Sequence, residues 1–307
     1  MSLAVNPEAS RQIRAEGASR ALLIMLLLGP CVVFLIVMFA IPVANMIKYS
    51  VHPLVDGKIG AALTLQNYAH FFSDDVYRRI LLTTLRVALV TTFIAAVLAC
   101  PTALVMTRAH PVIRQIVSLV IIAPLLVNVV IRTYGWRMVL GNTGIINWAL
   151  QNLGVIDEPL HLLYTETAIV IGSLHVFFPM MVLPVAATLA RVDSNLEDAA
   201  RTLGANELAV FFRVTLPLML PGIAAGMTLI FSLTASSYVL PTLLGGDFTK
   251  MLGTLVEQQI LATYNWPFGA AIATILMGLV LTVVMLHLFV LERRLRRYRP
   301  DRVEAGG

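Results

Sequence analysis

The sequence predicts an all-α integral membrane protein with six spanning helices, and three observations carry that expectation. Of its 307 residues, 58% are hydrophobic and only 13% charged, about half the charged share of an ordinary soluble domain. Six stretches stay apolar over the roughly 20 residues that a helix needs to cross the hydrocarbon core. Lys and Arg fall unevenly among the segments joining those stretches, as the positive-inside rule requires of an inserted chain.

Residues 1–20 form a polar tail carrying Arg11, Arg14 and Arg20. The first span, 22–46, is too long for a cleavable leader, and Pro42 with Lys48 beyond it makes no small-residue cleavage site, so it is expected to stay as an anchor. The second, 81–107, holds Arg86 near one end, where it is expected to snorkel to the headgroups. The third, 113–131, is diluted at its start by Arg114 and Gln115. The fourth, 168–190, holds Ser173 and His175. The fifth, 218–243, opens on Gly222-x-x-x-Gly226, a small-residue pattern for close helix contact. The sixth, 269–291, contains His287, and a basic tail follows over 292–307. Cys31 and Cys100 lie in apolar spans and are expected to be buried small hydrophobes rather than a disulfide or metal pair.

The more basic segments hold the N-terminal arginines, Arg108, Arg114, Arg191, Arg201, Arg213 and the run from Arg293 to Arg302. The opposite segments hold fewer: Lys48, Lys58, Arg78, Arg79, Arg132, Arg137 and Lys250. Both termini are therefore expected in the cytoplasm, together with the polar segment between the fourth and fifth spans. The arginine-rich tail fits a stop-transfer cluster meeting anionic lipid, not a nucleic-acid site.

Enzyme motifs are missing from the sequence. There is no G-x-x-x-x-G-K-[ST], since Gly57-Lys58 is followed by Ile59, and no G-x-G-x-x-G, H-E-x-x-H or zinc-spaced Cys/His set. No cofactor is expected, and work driven by ATP would need a separate subunit. No carboxylate lies mid-span, which argues against an ion-coupled carrier. Ser173 and His175 are two apart on a helix and so lie on different faces, which argues against an intramembrane enzyme.

The fifth span is unusual in carrying Ser232, Thr234, Ser236, Ser237 and Tyr238 before Pro241. Such hydroxyls bridge helices or line a wet path. Ser232, Ser236 and Leu240 share one face and Thr234, Ser237 and Pro241 another. Because the polarity covers more than one face, Ser232, Ser236, Ser237, Tyr238 and Thr242, with His175, are the candidate lining of a translocation path. Outside the spans, residues 144–154 place Ile145, Trp148, Ala149 and Leu153 on one side of an amphipathic helix suited to the interface. With Tyr264-Asn265-Trp266-Pro267-Phe268 it is also a candidate platform for an extracytoplasmic partner.

The polar segment 191–217 holds the most specific pattern. Ser194 followed by Glu197 reads as a capping box that starts a short helix. Leu203-Gly204 ends it in a left-handed C-cap, Asn206 caps a second helix, and Pro217 suits the first turn of the next span. The result is a compact helical knob with small Ala199 and Ala200 on its surface.

This knob resembles the cytoplasmic loop of permease subunits of bacterial binding-protein-dependent ABC importers, whose pattern is E-A-A, three residues, Gly, nine residues, I-x-L-P. Asp198-Ala199-Ala200, Gly204 and Val214-Thr215-Leu216-Pro217 keep every spacing; Asp198 replaces Glu, with Glu197 just before it, and Val214 replaces Ile. Leu65-Gln66-Asn67-Tyr68, Ile131-Arg132-Thr133-Tyr134-Gly135-Trp136, Leu153-Gly154-Val155-Ile156-Asp157 and Trp266-Pro267-Phe268-Gly269-Ala270-Ala271 look like the spermidine/putrescine permease branch. The resemblance implies a type I importer permease fold, with Glu197, Asp198, Ala199, Ala200, Gly204, Leu216 and Pro217 as the ATPase-coupling loop. It also implies a second permease subunit, identical or different, a cytoplasmic ATPase dimer and a periplasmic solute-binding protein at the inner membrane. A polyamine-like solute is the first expectation. Ser236, Ser237 and Thr242 stand where some polyamine permeases carry acidic residues, so an opine or amino-acid derivative is the alternative.

Overall fold

The computed structural model describes residues 7–298; the outer parts of both expected tails, 1–6 and 299–307, lie outside the described residues. The first helix, α1 (Pro7–Ser50), starts well inside the expected N-terminal tail. A two-residue hairpin follows, β1 (Leu54–Val55) with β2 (Lys58–Ile59), turned by Asp56 and Gly57, both at positive φ, as a type I′ turn requires. Next come α2 (Gln66–Ser73) and α3 (Asp75–Arg108). The third expected span is divided between α4 (Pro111–Ile122), a single 3₁₀ turn (Ala123–Leu126) and α5 (Val129–Leu140). The chain goes on through α6 (Ile145–Asn152), α7 (Glu166–Leu189), α8 (Asn195–Thr202), α9 (Glu207–Val210), α10 (Leu216–Ser236), α11 (Leu252–Glu257) and α12 (Trp266–Tyr298).

Among the described residues, five helices are long and apolar enough to cross a membrane, and a sixth crossing comes only from a bent pair. The expected continuous helix over 113–131 is corrected: Pro111–Leu126 and Val129–Asn152 meet at 105°. Pro124 has no N–H to offer the Val120 carbonyl. Val127 is then extended, and the Asn128 side chain accepts from the Val130 amide at 2.8 Å to start a new helix.

The fifth span also breaks inside its expected range. Ser237 is extended, with φ −66° and ψ 139°, because a proline at 241 would clash with the 237 carbonyl of a continuous helix. Beyond it, Pro241–Gly245 forms one wide turn in which the Gly246 amide reaches the Pro241 carbonyl at 3.0 Å. At its start the span is longer than expected. Glu207–Ser236 runs as one helical unit through a wide turn at Phe211–Thr215, which accommodates the missing N–H of Pro217.

The main core joins α3, α7 and α10. Ala95, Ala99 and Ala103 of α3 meet Met181, Val185 and Leu189 of α7 and Met219, Ile223 and Ile230 of α10. The expected Gly222/Gly226 contact is real: a Cβ at Gly222 would sit 2.7 Å from the Pro184 carbonyl oxygen, and one at Gly226 would strike Met181. Helix α1 packs along α12, and from Met25 on most of its apolar side chains, Cys31 included, are exposed. Cys31 is therefore not buried as expected, whereas Cys100 is. Arg86 pairs with Glu166 at the start of α7 while its side chain stays largely exposed. The amphipathic segment forms α6 with Ile145, Trp148 and Leu153 exposed. Its buried Asn147 tethers it through the Gly141 carbonyl and both the amide and carbonyl of Leu160.

Candidate functional site

The knob between α7 and α10 forms the candidate site at one end of the bundle. Its first helix, α8, is not started by the expected capping box. Ser194 has helical dihedrals and no side-chain cap; instead the Asp193 carboxylate accepts from the Asn195 amide at 3.0 Å. Glu197 turns away from the cap because better partners wait inside. Its Oε1 accepts from the Thr215 hydroxyl at 3.2 Å and lies 3.5 Å from the Arg108 guanidinium. Its side chain is only 8% exposed, whereas Asp198 and Glu207 point outward.

The end of α8 follows expectation closely. Gly204 takes φ +86°. Its amide donates to the Arg201 carbonyl at 2.9 Å, and the Ala205 amide reaches back to Ala200 at 3.1 Å. These two bonds are those of a Schellman cap. No atom lies near the place a Gly204 Cβ would take, so the glycine is required by conformation and not by space. Asn206 caps α9 by accepting from the Ala209 amide at 2.8 Å.

Sequence reading missed the brace across this turn. Arg201 donates to Asp198 at 2.7 Å and to Glu207 at 2.8 Å, tying α8 to α9. Those bonds, to Glu207 first and then Asp198, raise the guanidinium pKa above its ordinary value. The outward surface carries Asp198, Ala199, Leu203, Leu208 and Phe212, with Leu203 89% exposed. Ala200, Leu216 and Pro217 are half-buried behind it.

The candidate path residues divide among separate places. Ser236, Ser237 and Tyr238 line a groove of about 420 Å³ at the break of the fifth span. The opposite wall comes from the break of the third: Leu125, Val129 and Arg132. Two discontinuous helices facing one groove is a recurrent arrangement at transporter midpoints. Arg132 was placed just outside the membrane by sequence reading. Its Nε is buried without a partner, and one terminal nitrogen donates a long 3.4 Å bond to the Val176 carbonyl. The signal was present in Ile131-Arg132-Thr133, an arginine directly continuing an apolar run.

Ser232 does not line this groove; its carbonyl accepts from the Ser236 hydroxyl at 2.6 Å. His175 opens instead onto a second cavity of about 390 Å³ with Trp136, packed edge to face at 5.7 Å between ring centres. Ser173 is buried, its hydroxyl unpartnered. Thr242 lines a third, more polar cavity of about 240 Å³ with Asp247, Lys250 and Glu257. Glu257 was not singled out in the sequence, because it lies beyond the fifth span in a segment that returns to cover it. Among the described residues no cluster of His, Cys, Asp or Glu could hold a metal ion.

The pattern of a family described as binding-protein-dependent transport system inner membrane components matches residues 59–297. The chain is 36% identical over 223 residues to the spermidine/putrescine transport system permease protein PotB of Escherichia coli K12, a match covering 72% of this chain and 81% of that one. It is 34% identical to PotB of Haemophilus influenzae, covering 72% and 78%. To the inner membrane ABC transporter permease protein YdcU of Escherichia coli K12 it is 33% identical, covering 81% and 83%. In fold it is similar to a chain of a bacterial ABC transporter that imports the acidic polysaccharide alginate. That match has a TM-score of 0.73 at 15% identity and covers 91% of this chain and 98% of that one. A chain of the MetNI methionine ABC transporter matches at TM-score 0.52 and 18% identity, covering 74% and 100%.

Proposed function

The chain belongs to the family of binding-protein-dependent transport inner membrane components, and from that premise we propose how its parts divide the work of an ATP-driven importer. It is a multi-pass inner-membrane permease subunit and a non-catalytic one. The 191–217 knob is the surface gripped by a cytoplasmic ATPase dimer, which puts both termini in the cytoplasm. A second permease, identical or different, completes the pathway, and a periplasmic solute-binding protein delivers the solute.

The observation that carries this reading is the knob itself. A loop braced by Arg201, closed by Gly204 and continuous with α10 presents Ala199, Leu203, Leu208 and Phe212 outward. Exposed apolar side chains on a rigid polar frame suit a protein partner. Crosslinking a cysteine at 203 to the ATPase tests it; absence of any crosslink in the assembled importer counts against it.

For the solute, a polyamine is the reading best supported by the names of the relatives at 34–36% identity. The cavity of Thr242, Asp247, Lys250 and Glu257 offers two carboxylates to a polycation, Asp247 lying 3.5 Å from Lys250. The path then comprises that cavity and the groove of Ser236, Ser237 and Tyr238; Ser232 backs Ser236 through its carbonyl, and His175 opens onto a separate cavity. Arg132 in the groove favours a second reading, a solute with its own carboxylate such as an opine or amino-acid derivative. Thermal shift of the cognate solute-binding protein decides between them. Stabilisation by spermidine or putrescine supports the first, and stabilisation only by a carboxylated solute supports the second.

A further inference from the structure

Glu197 is the buried carboxylate at the knob, and the groups around it come from three different spans. Arg108 is the last residue of α3, Val192 follows the end of α7, and Thr215 lies just before α10. The Arg108 guanidinium donates to the Val192 carbonyl at 3.0 Å while standing 3.5 Å from Glu197 Oε1, and Thr215 donates to that same oxygen at 3.2 Å. The ion pair is shielded, with side chains 27% and 8% exposed. Asp198, on the next position, is 67% exposed.

We propose that Glu197 is a positioning residue, the internal joint through which displacement of the knob reaches the second, fourth and fifth spans as one body. It rests on the reading of the knob as the ATPase-coupling loop, and within that reading it removes Glu197 from the contact surface. A shielded charge pair is costly to break by losing one partner alone, so a displaced knob carries Arg108 and Thr215 with it rather than sliding past them. Asp198 and Ala199 then belong to the docking face, and Glu197 to the transmission behind it.

The test uses the whole importer in proteoliposomes, with Glu197→Gln, Glu197→Ala and the exchange Arg108→Glu with Glu197→Arg. In the single variants the ATPase co-purifies as in the parent and hydrolysis persists, while solute moved per ATP falls by about five- to tenfold, the lower range of coupling between linked sites. The exchange recovers part of that ratio. Loss of ATPase co-purification in Glu197→Gln overturns the proposal, because it places Glu197 at the contact; an unchanged ratio in both single variants overturns it as well. Should Glu197→Ala fail to accumulate in the membrane, Thr215→Val carries the same test, a lowered ratio supporting the joint and an unchanged one overturning it. Ala199→Trp serves as the outer-face control: if it leaves ATPase association intact, the coupling-loop reading itself fails, whatever the ratio.

Discussion

Arg201 and Glu207 face each other across the Gly204 turn, the guanidinium Nε 2.8 Å from the carboxylate Oε1. The pair is exposed, and exposed pairs contribute little to overall stability. Its effect is on shape, since Arg201 also holds Asp198 and so fixes α9 against α8. Arg201→Ala is expected to leave expression and thermal stability unchanged and to weaken ATPase co-purification at low salt, the difference from the parent shrinking as salt screens the parent's exposed pairs. Identical salt curves for variant and parent would remove the brace from the coupling account.

Gly204 allows a sharper separation of conformation from contact. At φ +86° with open space around it, a β-branched residue meets no neighbour and suffers only the left-handed penalty, about 1–2 kcal/mol. Gly204→Val is expected to insert normally and lose ATPase association. Gly204→Asn, which tolerates the left-handed region, is expected to keep it. Equal behaviour of the two variants in co-purification would mean that the turn does not set the knob's shape.

Packing between the fourth and fifth spans depends on the absence of a side chain at Gly226, where a Cβ would strike Met181. Overpacking of a tight core costs about 1–3 kcal/mol. Gly226→Leu is therefore expected to lower the midpoint of thermal aggregation in detergent, and Met181→Ala in the same chain to restore part of it. Additive effects of the two changes would show that these positions do not touch.

Hydropathy made most of the bundle legible because span length and composition are one-dimensional properties. Direction is not, which is why a window over 113–131 concealed a 105° bend although Pro124 and Asn128 both mark it. In the knob, Gly204 and Asn206 were readable because their bonds are local. Ser194 and Glu197 were misread for the opposite reason: the capping pattern is local, but the carboxylate is taken by Arg108 and Thr215, distant in the chain. Some family-like motifs gain a physical reason only in three dimensions. Asn67 donates to the Ser50 and His52 carbonyls at 2.9 Å and Tyr68 meets the Ser50 hydroxyl at 2.7 Å, fixing the end of α1. Phe268 packs against His70 and Tyr77 at 5.1 and 5.2 Å between ring centres.

Arg132 separates the two solute readings by sign. Among the described residues its one side-chain bond is the long one to the Val176 carbonyl, and its Nε has no partner there, so the fold gains little from it. Arg132→Gln should accumulate in the membrane like the parent. If the solute is a polycation, removing a positive charge from the groove beside Ser236, Ser237 and Tyr238 lowers the apparent KM for uptake. If the solute carries a carboxylate, the same change removes a charge-assisted hydrogen bond, worth about 1.5–3 kcal/mol, and KM rises by about tenfold or more. Uptake into vesicles containing the complete importer, measured over a range of solute concentrations, reads the direction. A KM unmoved in either direction would place Arg132 off the path.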